Sequence, residues 1–227
     1  MGQMAYVFGI TGGFGNGKST TAVIKAHQWA AASGAKIFAN FPMRGAYIFD
    51  HYTDWYRIAD VHGSIVVFDE SQSNFDGRQW GGEGNIALTQ LFNFVRKLNT
   101  VFIFVLPSYE NIDTRIRQKT DILINCVKTQ SGTIINTVYD YTAKDYGEWG
   151  RLLNRWILPP ASQKKVYGLN LFDTNSMVHR FPMPVGKKNI EEFFKELERR
   201  HTRALDRYGL RMDIQTLVKE DLDAFAS

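Results

Sequence analysis

Gly12-Gly13-Phe14-Gly15-Asn16-Gly17-Lys18-Ser19 has the GxxxxGK[ST] spacing of a loop that wraps a chain of phosphates. Glycines so spaced let the backbone curl until successive N–H groups point inward at phosphate oxygens. From Thr20 to Ala32 the chain is Ala-rich and reads as a helix, whose first amides and positive dipole end face the same anion. Lys18 has the charge and reach for β- and γ-phosphates, and the Ser19 hydroxyl suits a magnesium ion. The eight loop residues and Thr20 are the expected nucleotide contacts, with ATP and Mg2+ as cofactors.

Asp69-Glu70 is the second chemical element. It follows the apolar run Ile65-Val66-Val67-Phe68, the form of a Walker B strand. Asp69 is expected to hold the magnesium ion opposite Ser19, and Glu70 to orient and deprotonate the attacking water. Phosphoryl transfer depends on positioning and charge compensation, so these few groups suffice. A glutamate here suits hydrolases that do mechanical work better than nucleotide kinases. No Asn-Lys-x-Asp guanine-reading motif occurs, which weighs against a GTPase.

These groups need a scaffold, and the chain supplies alternating signals for one. Ala5–Ile10, Lys36–Asn40, Ser64–Phe68 and Val101–Leu106 are short apolar runs that read as buried strands. Helices are expected at 20–32, 54–59 and 86–98. Residues 121–129 and 133–141 read as paired strands around Ser131-Gly132. Continuous apolar strands alternating with helices imply a mostly parallel sheet covered on both faces. Ligands of such sheets bind beyond the C-terminal strand ends, where the phosphate loop, Asp69-Glu70 and Pro107-Ser108 all fall.

The 227 residues, 44% of them hydrophobic, are enough for one large core. The single cysteine, Cys126, excludes a disulfide framework and sits in an apolar run, so an inert buried thiol is expected. No stretch approaches the roughly 18 apolar residues of a membrane span. The expectation is a cytoplasmic protein without direct membrane insertion. The net charge of +4 is compatible with nucleic acid without being diagnostic of it. Five scattered histidines form no metal-binding pattern.

Taken together, the Walker elements, Asn40-Phe41-Pro42, and Val67-Phe68-Asp69-Glu70-Ser71-Gln72 resemble the Zot-like and viral genome-packaging branch of the HerA/FtsK ATPases. A helix carrying Arg96 before the strand Val101–Leu106, then Pro107-Ser108, Ile112–Arg117 and Leu171–Asn175, follows the same order. The resemblance covers roughly residues 5–178. It implies a RecA-like P-loop core over 1–178, with a C-terminal helical extension over 179–227. It further implies a homo-oligomeric ring that translocates double-stranded DNA without reading sequence, with capsid or portal-vertex proteins as further partners. Rings of this kind take an arginine from the neighbouring subunit; Arg96 is the first choice, with Arg78 and Arg115 as competitors. The polar sensor, often Gln, expected at the end of the Val101–Leu106 strand is absent, leaving Ser108 or the Tyr109 hydroxyl as substitutes.

Two alternatives remain open: a Zot-like phage morphogenesis or export ATPase, and a P-loop nucleoside or nucleotide kinase. Expected DNA contacts are the Gly-rich loop with Arg78 and Trp80, and the basic-aromatic stretch Arg151–Trp156 with Lys164-Lys165. The amphipathic segment 189–205 is expected to pack as a helix on the core or on a neighbouring subunit.

Overall fold

The computed structural model describes residues 7–61, 63–69, 82–110, 114–173, 176, 178–179 and 182–208, with the backbone alone at 82–89, 115 and 208. Along the chain these form β1 (Val7–Thr11), α1 (Lys18–Ser33), β2 (Lys36–Ala39), β3 (Ala46–Ile48), α2 (Asp54–Asp60) and β4 (Ser64–Phe68). There follow α3 (Gly82–Lys97), β5 (Thr100–Leu106), α4 (Thr114–Arg117), β6 (Ile122–Lys128), β7 (Ile134–Asp140), β8 (Arg151–Leu158), α5 (Pro160–Gly168) and α6 (Lys187–Tyr208).

The strands build one eight-stranded sheet in the order β3-β2-β4-β5-β1-β6-β7-β8. From β3 to β6 neighbours run parallel, while β7 and β8 are added antiparallel. One strand, β5, therefore separates the phosphate-loop strand β1 from the Asp69 strand β4, as in the RecA-like arrangement expected.

The apolar runs are explained by burial on both faces. Alternate residues of one strand point to opposite layers. Ile65 and Val67 of β4 face α1, against Ala22, Val23, Ala26 and Trp29. Val66 and Phe68 face the other layer, where Trp55 and Ile58 of α2, Leu91 and Val95 of α3, and Phe193 and Leu197 of α6 converge. Trp55 stacks on Phe102 at 6.1 Å and meets Phe49 edge-on at 5.0 Å. Each phenylalanine buried there is worth about 1.5–3 kcal/mol.

The amphipathic C-terminal helix does pack on the core. Two of its arginines are neutralised locally: Arg199 and Arg200 donate to Glu196, and Arg200 Nη1 reaches Asp60 on α2 at 2.5 Å. Besides the four-residue α4, three elements were not foreseen. β3 is only three residues long with an exposed edge, and α5 has little amphipathic contrast. The third is β8, where a register shift between Val138 and Tyr139 breaks the alternation and Leu152 and Ile157 lie exposed. The segment read as basic and DNA-facing, Arg151–Trp156, is thus an edge strand. Among the described residues no helix is long and apolar enough to cross a membrane.

Candidate nucleotide site

The phosphate loop leaves the C-terminal end of β1 and delivers the chain to α1. Two glycines are forced by their neighbours. A side chain on Gly12 (φ 146°) would place Cβ 2.2 Å from the Cys126 carbonyl oxygen, and one on Gly17 (φ 82°) would strike Ile134 at 2.3 Å. The loop thus lies directly on β6 and β7. No acidic residue stands in the first turn of α1, and no side chain caps it. Its leading amides stay available to an anion. Lys18 folds back over the loop, its Nζ 3.0 Å from the Gly13 carbonyl oxygen and 5.7 Å from the centre of the Phe14 ring. Phe14 itself is 87% exposed at the loop tip.

Opposite the loop stands the end of β4. The Ser19 hydroxyl donates to Asp69 Oδ2 at 2.5 Å, so the two oxygens expected to share a magnesium ion are already together. A hydroxyl beside a carboxylate is a hard-oxygen donor set of the kind that fits this ion. Among the described residues no cluster of three or more His, Cys, Asp or Glu offers a competing metal site.

Asp69 is held by a residue the sequence reading left without a role. Asn40 is fully buried one position past β2; its Oδ1 accepts from the Asp69 N–H at 2.8 Å, and its Nδ2 donates to the Asp69 carbonyl at 3.0 Å. The outer wall also comes from outside the motifs. The Tyr167 hydroxyl of α5 lies 3.1 Å from Thr20 Oγ1. Phe172, Asp173, Ser176 and Val178 from the segment after α5 join it, enclosing a cavity of about 310 Å³ with the loop residues, Phe41, Asp69 and Val105. Of Leu171–Asn175, which only the resemblance singles out, Phe172 and Asp173 line the cavity.

Beneath the loop, Thr21 Oγ1 donates to Asn136 Oδ1 at 2.8 Å, and Cys126 Sγ donates to the same oxygen at 3.1 Å. Burial pushes the Cys126 thiol up to about 11, consistent with the inert role expected of it.

Other expected groups are not gathered here. Arg96 pairs with Asp121 at 3.4 Å, and Asp121 Oδ2 in turn accepts from the Val7 N–H. That places Arg96 at the N-terminal end of β1, about 13 Å along the strand from the phosphate loop. Tyr109 is corrected as a sensor: its hydroxyl donates to Thr120 in a buried pair, and its ring packs against Gly9. Ser108 instead lines a second, smaller cavity beside Thr11 and Gly12. Glu70, Arg78 and Trp80 lie outside the described residues, as does the Arg115 side chain. Of the basic stretch, Arg151 pairs with Asp140 at 3.4 Å and Trp156 lies under Lys25 at 5.5 Å. Arg155, Lys164 and Lys165 are exposed.

With this geometry in view, residues 43–148 match the model of the zonular occludens toxin (Zot) family. The Zot-like resemblance is thereby borne out over the segment that carries Asp69. No curated protein matches the chain in sequence. Among solved structures, the N-terminal domain of zonular occludens toxin from Neisseria meningitidis aligns with a TM-score of 0.51 at 16% identity, covering 75% of this chain and 100% of that one. The genome packaging NTPase B204 of Sulfolobus turreted icosahedral virus 2, in complex with AMPPCP, aligns at 0.45 and 12% identity, over 67% and 96%. The first of these likenesses speaks for the fold.

Proposed function

We propose that the protein is an ATP-hydrolysing motor that translocates double-stranded DNA, packaging a viral genome into a preformed capsid. The carrying observation is Ser19 Oγ at 2.5 Å from Asp69 Oδ2, opposite a loop that opens a helix with no acidic residue in its first turn. The loop amides and Lys18 bind the triphosphate and compensate its charge. Ser19 and Asp69 would hold the magnesium ion, which would supply charge compensation for the transferred phosphate. Glu70, next in the chain after Asp69, takes a proton from the water as its oxygen attacks the γ-phosphorus, and ADP leaves. Arg96 stands too far from its own phosphate loop to act there, so its role belongs to a neighbouring subunit's site in a ring.

A second reading, a Zot-like assembly or export ATPase, is favoured by the family match over residues 43–148. ATP turnover with and without double-stranded DNA, together with the mass of the assembly in solution, separates the two. The motor reading expects turnover to rise with DNA, in a salt-sensitive and sequence-independent way. Turnover indifferent to DNA favours the assembly factor. Phosphate transfer to a nucleoside or nucleotide rather than water identifies a kinase.

A further inference from the structure

Asn40 makes more contacts than a strand-end residue needs. Besides gripping Asp69 from both sides, its Nδ2 donates to the His179 carbonyl at 3.0 Å. Its main chain closes a second bond to the same residue, with the His179 N–H donating to the Asn40 carbonyl at 2.7 Å. Both side-chain amide hydrogens are thus used, one on each partner. His179 directly follows Val178, which lines the nucleotide cavity with Asp173 and Ser176. One buried amide therefore ties the Asp69 backbone to the cavity's outer wall, across 139 residues of sequence. No other side chain of this size can serve: aspartate lacks the donor, leucine lacks both functions, and glutamine is one methylene too long.

We infer that Asn40 is a positioning residue that couples the Asp69–Ser19 pair to the wall at Val178 and His179, making metal and nucleotide binding mutually cooperative. This rests on the reading of the cavity as a magnesium–nucleotide site. Because one amide joins the two, a nucleotide held against Val178 restrains the Asp69 backbone, and a metal held by Asp69 restrains His179. Such coupling commonly amounts to between about 5- and 150-fold in affinity.

The test uses a fluorescent non-hydrolysable ATP analogue, titrated into the full chain with EDTA and then with magnesium. For Asn40→Ala the metal-free affinity is expected within about twofold of wild type, while the gain on adding magnesium shrinks about tenfold. A merely structural role would weaken both affinities alike and leave their ratio unchanged. Because the variant also loses buried hydrogen bonds, hydrogen exchange on the wild type gives an independent arm. The Asp69 and His179 amides are expected to gain protection together when magnesium and the analogue are both present. An unchanged ratio, or one amide responding without the other, overturns the coupling alone. Wild-type protein that binds no analogue under either condition overturns the nucleotide reading, and the coupling with it.

Discussion

The two ends of β1 show the same kinds of groups put to opposite uses. At the N-terminal end, Asp121 accepts from the Val7 N–H, its own N–H donates to the Val7 carbonyl, and Arg96 pairs with its other oxygen. A carboxylate, an arginine and a strand's backbone groups there satisfy one another. At the C-terminal end, the leading amides of α1 have no side-chain cap, and Lys18 lies against the Gly13 carbonyl and the Phe14 ring face. Positive potential stands there beside a cavity with the Ser19–Asp69 pair at its base. Closed pairing marks a place where the fold is held together. An uncapped helix start beside a cavity marks a place that can take an anionic ligand.

That contrast can be broken most decisively at the chemistry. Glu70→Gln is expected to keep nucleotide binding while turnover falls by about 10² to 10⁴. Full turnover in this variant would move the base to another carboxylate. Arg96→Ala should also leave binding by the isolated subunit intact and cut turnover about 10³-fold. Mixing the two inactive variants should restore part of the activity, since some junctions then pair an intact Glu70 with an intact Arg96. No recovery in proven mixed assemblies would confine Arg96 to its pair with Asp121, and shift the trans role to Arg78 or Arg115.

Lys18→Ala should weaken nucleotide binding about 100-fold or more, because charge-assisted contacts to two phosphates disappear. Unfolding by urea should hardly change, since the ammonium lies over the loop in an exposed bond to the Gly13 carbonyl. Asp121→Ala should do the reverse. It leaves the buried Val7 N–H without an acceptor, costing about 1–3 kcal/mol in urea unfolding, with analogue affinity unchanged. If affinity falls with stability, the two ends are not independent. The smallest expected effect is Tyr167→Phe, which removes one hydrogen bond at the cavity wall. About 1 kcal/mol, or roughly fivefold in analogue affinity, should be lost. A larger loss would mean that the hydroxyl meets the ligand as well as Thr20.

Much of this was legible before any coordinates. The loop is a local object: its cradle comes from consecutive backbone amides, so spacing alone identifies it. The central strands announce themselves as uninterrupted apolar runs because both of their faces are covered. The periphery lacks such a signal. β8 exposes Leu152 and Ile157 and carries a bulge, so neither alternation nor continuity marks it as a strand. The basic residues along it looked like a nucleic-acid stripe, yet Arg151 is engaged by Asp140 on the adjacent strand.

By itself the sequence determined the phosphate loop, the acidic strand end opposite it, the parallel core and the packing face of α6. These depend on near neighbours, through backbone curl, side-chain period and hydrophobic burial. The tertiary structure decided which distant groups meet. It brought Ser19 to Asp69 across an intervening strand, sent Arg96 to the far end of β1, and turned the Tyr109 hydroxyl into the core. It also carried Tyr167, Asp173, Ser176 and Val178 to the nucleotide cavity, where Asn40 joins His179 to Asp69. A hydrogen bond between residues 40 and 179 has no period or spacing to reveal it. It exists because strand order and chain path bring the Asp69 and His179 carbonyls to one buried amide, which would otherwise be left unpaired at a cost of about 1–3 kcal/mol.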